Sequence, residues 1–151
     1  MVTLRHFNKE DAEVIKNNIY PDMIIEDITD MIDDWNTCLY DGQYFEMFAV
    51  LADNRIVGQA SICGKNKNIA SLGIEIYNSE QGKGYGSAIV PMLIKLAAEK
   101  KYTIILNQVR TDNKASIKLN EKFGFESDGY IYRNKRDKEV YIFAKSIWGT
   151  L

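Results

Sequence analysis

Residues 81–87 read Gln81-Gly82-Lys83-Gly84-Tyr85-Gly86-Ser87, with three glycines at alternate positions between a strand-like apolar run and a helix-like one. Glycines at that spacing leave successive backbone N–H groups uncovered, and at the start of a helix these sit where the backbone dipole is positive. Such a loop cradles phosphate; the same residues also suit a strand-to-helix turn without a ligand. The spacing lacks the third glycine position of the dinucleotide fingerprint, and no Gly-Lys-Ser/Thr follows as in a P-loop. Other chemistry is poorly supplied. There is a single histidine, His6, which reads as structural. Cys38 and Cys63 are too far apart for a zinc ligand pair and read as small reduced hydrophobes, so no metal site is expected.

The elements that must position this loop can be read in order. Val2 to Phe7 forms a short strand, and Asn8 followed by Asp11 makes a capping box that opens a helix with Ala12, Ile15 and Ile19 on its apolar face. Pro21 ends that helix. A second helix is expected over about Glu26 to Leu39, with Ile28, Met31, Ile32, Trp35 and Leu39 on one stripe. Asp22, Glu26, Asp27, Asp30, Asp33 and Asp34 surround the stripe, and this second helix contains no Lys or Arg. Tyr44–Leu51 and Ile56–Cys63 read as a hairpin joined by Ala-Asp-Asn-Arg, and Ile69–Tyr77 reads as a further strand. After the glycine loop, a helix to about Lys100 buries Ile89, Leu93, Leu96 and Ala97, and Pro91 should bend or distort its second turn. Thr103–Val109 is a strand, Asn113–Phe123 a helix closed by Gly124, and Tyr130–Lys145 a terminal hairpin turning near Asn134–Asp137. The sum is an α/β fold with a mixed sheet.

The 151 residues, 46% apolar and 26% charged, suit one domain over residues 1–151 that needs no disulfide or structural metal. The longest apolar run, Met47–Ala52, falls far short of the ~18 residues of a membrane span, and the start has no signal-peptide core. The chain reads as soluble and cytoplasmic. Its formal charge of −2 hides a split: residues 1–64 carry 4 basic and 12 acidic side chains, the rest 15 and 9, for net charges of −8 and +6. That asymmetry suits an anionic ligand on the second half and a cationic one approaching the first, or solvated faces segregated by sign. Overall acidity, with a pI near 5.5, argues against nucleic acid as a partner.

The strand Leu72–Ile76 is followed by Gln81-x-x-Gly84-x-Gly86, then Asn113-x-x-Ser116-x-x-Leu119 and Lys122-Phe123-Gly124-Phe125. This series resembles the GNAT superfamily of acetyl-CoA-dependent N-acetyltransferases, in detail from about Ile69 to Phe125 and by element order over nearly the whole chain. The resemblance implies a mostly antiparallel central sheet flanked by about four helices and splayed between the fourth and fifth expected strands, here Ile69–Tyr77 and Thr103–Val109. It implies that Gln81, Gly82, Lys83, Gly84, Tyr85, Gly86 and Ser87 wrap the coenzyme A pyrophosphate, and that Ile74, Glu75 and Ile76 line the pantetheine arm. Asn113 falls where a side chain bonds the pantetheine or caps the following helix, and Ser116 belongs to the same motif. Lys83, Lys114 and Lys118 are candidates for the remaining phosphates. The implied cosubstrate is acetyl-CoA, with no metal; monomers or homodimers both fit.

Amine attack on a thioester needs loss of the amine proton, a donor to the oxyanion and a proton for the leaving thiolate. A backbone N–H near Ile74 suits the oxyanion. The positions at which family members carry a proton carrier hold Asn120, Gln108 and Ala70, none of which titrates at neutral pH. Glu75 ranks first as substitute base, directly or through water, or is a strand-rim residue; Tyr77, Tyr85, Tyr130 and Tyr132 are further substitutes. Asn120 is expected to orient the sulfur or a water. An alkylamine of pKa ~10.4 is neutral about one part in 10³ at pH 7, a handicap of roughly 4 kcal/mol that a desolvated pocket partly removes. The expected reaction is acetyl transfer to a primary amine of a small molecule or peptide, with the acidic second helix favouring a cationic acceptor; Arg110 instead suits an acceptor carboxylate, or simply a neighbouring acid. The alternative is a non-catalytic acyl-CoA-binding module.

Overall fold

The computed structural model describes residues 1–150; Leu151, the end of the expected single unit, lies outside them. Strand β1 (Val2–Arg5) leads through a single 3-10 turn, Lys9–Asp11, into helix α1 (Ala12–Asn18). The capping box is present: the Asn8 side chain accepts from the Glu10 N–H at 3.1 Å, and Asp11 accepts from the Asn8 N–H at 2.8 Å. Arg5 grips the same Asp11 carboxylate with two nitrogens, at 2.8 and 3.1 Å. Helix α2 (Ile25–Trp35) buries Ile28 and Ile32, and Trp35 packs on Phe7 with ring centroids 5.5 Å apart. It ends four residues before the expected Leu39. The Thr37 and Cys38 N–H groups fold back onto Asp34 and Trp35, and Cys38 enters the left-handed region at φ 58°. Leu39 therefore leaves the stripe and stands exposed in a two-residue strand, β2 (Leu39–Tyr40), paired to the start of β3 (Gln43–Ala52).

Strands β3 and β4 (Arg55–Gly64) form the expected hairpin. Ala52 pairs with Arg55 across Asp53 and Asn54, both at positive φ (51° and 67°), the two-residue turn whose twist matches the strands. A register shift at Val50/Leu51 puts an extra residue, Val57, into β4. Strand β5 (Ile69–Ile76) follows, then α3 (Tyr85–Glu99), β6 (Ile104–Arg110), α4 (Lys114–Lys122), β7 (Glu126–Ser127), β8 (Tyr132–Arg133) and β9 (Glu139–Ser146). The sheet order is β1-β3-β4-β5-β6-β9-β7, with β2 attached to β3 and β8 to β9. Every pairing is antiparallel except β5 with β6. Helix α3 continues through Pro91, which stands on the solvent face, where water can satisfy the carbonyl left without its helical donor.

Two apolar layers fix the sheet. On one face Phe48, Val50, Ala60, Ile62, Ile89, Leu93, Ile105 and Phe143 form the larger core around α3. On the other, Phe7, Ile15, Ile28, Ile32 and Ala49 pack α1 and α2 against β3. The six acidic residues around α2 are all exposed, on the second of these faces. Among the described residues, no helix is long and apolar enough to cross a membrane.

Candidate active site

Parallel pairing between β5 and β6 lasts for two rungs, Ile69 with Ile104 and Ala70 with Ile105, after which the strands part. Alternate residues of a strand aim their N–H groups at opposite edges. Tyr77 donates to the Val57 carbonyl of β4, so the N–H groups of Leu72, Ile74 and Ile76 aim into the gap. Leu72 is met by the Asn107 side chain, its N–H donating to Oδ1 at 2.9 Å. The Ile76 carbonyl accepts from Gln81 Nε2 at 3.0 Å, which ties the glycine loop to the strand end. Ile74 has no strand partner across the gap.

The gap widens into a cleft of about 560 Å³. Its floor and one wall are Ile74, Glu75, Ile76, Gln81, Gly82, Gly84, Tyr85, Gly86 and Ser87, and its other wall contains Gln108, Asn113, Ser116 and Asn120. The loop turns into α3 with Gly82 at φ 79° and Gly84 at φ 85°, conformations that L side chains rarely adopt. A Cβ at either would meet nothing within 4 Å, so backbone conformation rather than crowding demands glycine there. On α4 the Asn113 side chain accepts from the Ser116 N–H at 3.1 Å and so serves as N-cap.

The Lys83 side chain lies off the cleft lining, with its ammonium on Glu80 Oε1 at 2.8 Å, and Lys114 and Lys118 are exposed outside the lining too. Glu80 is also held by Arg55 at 2.8 and 3.2 Å; Arg55 and then Lys83 pull its carboxyl down to about 2, so it stays ionised at the loop's base.

Glu75 is exposed and lines the cleft on the sheet face that carries α1 and α2, since its neighbours Leu72 and Ile74 pack into the α3 core. On β4, Gly58, which pairs with Ile76, stands so close that a Cβ there would lie 2.4 Å from the Glu75 carbonyl oxygen. Among the tyrosines, only Tyr85 lines the cleft. Tyr77 is 3% exposed, and burial, then the Glu75 charge, push its hydroxyl to about 12. Tyr130 and Tyr132 are exposed away from the cleft lining, and Tyr132 donates to Asp128 at 2.5 Å. Arg110 pairs with Asp112 at 3.2 Å.

Asn120 is 8% exposed. Its Oδ1 accepts from Asn107 Nδ2 at 3.0 Å, and its Nδ2 donates to the Ser116 carbonyl at 2.8 Å. Asn107 was not foreseen as a site residue. The available signal was alternation: Ile105, Asn107 and Val109 share the buried side of β6, and a carboxamide at an apolar register position needs a buried partner.

Away from the cleft, with β4 between, Glu46 on β3 accepts from His6 at 2.5 Å and from the Tyr44 hydroxyl. His6, Cys38 and Glu46 bring donor atoms within 4.8 Å of one another, but Lys100 stands over the Tyr44 ring, and burial, then Glu46, push the Cys38 thiol up. The group reads as a hydrogen-bonded His6–Glu46–Tyr44 cluster beside a thiol.

A split sheet whose open edge meets a glycine loop at a helix start frames the cleft of this α/β domain. The chain belongs to the acetyltransferase (GNAT) family, whose model matches residues 11–125. It is 27% identical over 100 residues to YokL, a SPbeta prophage-derived uncharacterized N-acetyltransferase of Bacillus subtilis (strain 168); the match covers 64% of this chain and 56% of that relative's length. Among solved structures it is similar to the spermidine N-acetyltransferase of Vibrio cholerae in complex with CoA and spermine, with a TM-score of 0.77 and 20% identity over 96% of this chain and 95% of that one. Mycobacterium smegmatis RimJ in complex with CoA-disulfide gives a TM-score of 0.75 at 18% identity, over 96% and 81% of the two chains.

Proposed function

We propose that this protein transfers an acetyl group from acetyl-CoA to a primary amine of a small cationic molecule, by direct attack in a ternary complex in the cytoplasm. The observation that carries the reading is the pair of N–H groups, Ile74 and Ile76, aimed into a gap that β6 does not close, beside a glycine loop whose open amides continue the same wall. Residues 82–87 suit the pyrophosphate, and Asn113 and Ser116 border the pantetheine side. Acetyl-CoA would supply the acyl group as a thioester. The Ile74 N–H donates to the carbonyl oxygen as it gains charge, without reorganisation in a partly dry cleft. Glu75 takes the amine proton, directly or through one water, from the face that carries α1 and α2. Asn120, a carboxamide, holds no titrating proton, so solvent protonates the thiolate; a thiol of pKa ~8.5 leaves without a strong acid. The exposed acids of α2 favour a cationic acceptor, and a polyamine-binding protein of the same fold supports that choice.

The test is acetyl-CoA consumption with thiol release against polyamines, aminoglycosides, amino acids and short peptides from pH 6 to 9. Acceptor-dependent release that is strongest with cationic amines is expected. Tight coenzyme binding with no turnover on any acceptor would instead favour the non-catalytic binding module, the reading that the carboxamides at 108 and 120 keep in view.

A further inference from the structure

We infer that Asn107 and Asn120 act as one hydrogen-bonded strut that fixes the gape of the cleft and thereby positions the acyl group, an inference that rests on the reading of the cleft above. The strut starts at the first residue of β5 whose inward N–H finds no backbone partner on β6, Leu72, and ends on the α4 backbone at Ser116. It thus joins the strand that presents the Ile74 N–H to the helix that forms the opposite wall. Its polarity has one solution. The Leu72 N–H can only donate, so Asn107 must present its oxygen there and its nitrogen to Asn120. Asn120 must then accept with its oxygen and donate to the Ser116 carbonyl, which can only accept. Neither carboxamide can flip without breaking two bonds. Both are buried, at 9% and 8% exposure, so water does not readily replace a lost partner.

The strut also accounts for the carboxamide at position 120, where the family resemblance leads one to expect a tyrosine proton donor. Two buried amides satisfied by each other form a unit that neither ionises nor titrates. They are positioning residues: they set how far the Ile74 N–H lies from the coenzyme wall.

The test compares wild type with N107L, N120L and the double variant. Amide exchange at Leu72, without coenzyme, reads the strut; kcat and the coenzyme dissociation constant read its consequence. In N107L, Leu72 exchange should quicken at least about tenfold while β3–β4 amides keep their rates. In the same variant kcat should fall about 10²-fold, with the coenzyme dissociation constant within about threefold. The double variant should be no slower than the worse single one, because the two side chains form one unit. Unchanged Leu72 exchange, losses that multiply in the double variant, or a kcat loss matched by lost coenzyme affinity would each overturn the strut. N107S, too short to span the gap, replaces N107L if the latter does not fold. A wild type that binds coenzyme and transfers nothing overturns the proposed function, while Leu72 exchange still decides the strut.

Discussion

Glu75 and Asn120 have the same cleft in common and opposite chemical characters: one ionises, the other is locked between two amide partners. Glu75→Gln should lower kcat/KM roughly 10²-fold at unchanged thermal midpoint, the size of a lost general base; a loss under tenfold removes Glu75 from the reaction. Because no side chain at 108 or 120 titrates, kcat/KM should climb with pH from 6 to 9, following loss of the amine proton, with no falling limb from a deprotonating acid. A pH–rate profile with a descending arm near pH 8 would point to an acid other than solvent. At this scale the sequence disclosed the loop, since glycine readily takes the φ values found at 82 and 84, which L side chains rarely adopt. It did not disclose Asn107, whose partners lie 35 residues back and 13 ahead, nor the capture of Lys83 by Glu80, which depends on how the loop turns.

Among the elements, the start of α1 carries a polar network of Arg5, Asn8 and Asp11. Burial pushes the Asp11 carboxyl up, but Arg5 and the Asn8 N–H more than reverse this and hold it below its ordinary 3.8. A carboxyl lowered in the folded state contributes stability above its unfolded pKa, and that stability is lost as pH falls through the folded one. Asp11→Ala should therefore cost about 2 kcal/mol at pH 7, as a lost cap and charge-assisted pair, with the difference from wild type narrowing in urea titrations near pH 3. The capping box, the β3–β4 hairpin and the core face of α3 were all legible, because each rests on local spacing. The C-terminal limit of α2 was not: Cys38 takes a left-handed conformation that neither Gly nor Asn announces, and the apolar stripe ran on to a Leu39 that the fold leaves exposed. The short strands β2 and β7 owe their pairing to neighbours rather than to any pattern of their own.

For the whole molecule, the α2 acids are exposed on one face of the sheet and the glycine loop stands at its open edge. Replacing Asp30, Asp33 and Asp34 together by Lys should raise KM for a polyamine severalfold at low ionic strength, a difference that fades toward 1 M salt as screening shortens to about 3 Å. An unchanged KM would leave those acids as solvated surface alone.

The two-rung junction between β5 and β6 also bears on how the chain acquires its shape. Of the strands before it, all but β1 form a meander of neighbours closed by short turns, whereas β6 and β9 must find partners across an intervening helix or more. Local pairings close cheaply and distant ones late, so the first half should be ordered in the rate-limiting barrier and the second should join after it. Val50→Ala is then expected chiefly to slow refolding and Phe143→Ala chiefly to hasten unfolding, as chevron plots of the two variants would record. On that account, the opening where chemistry is proposed to happen is also the seam at which the molecule is last assembled.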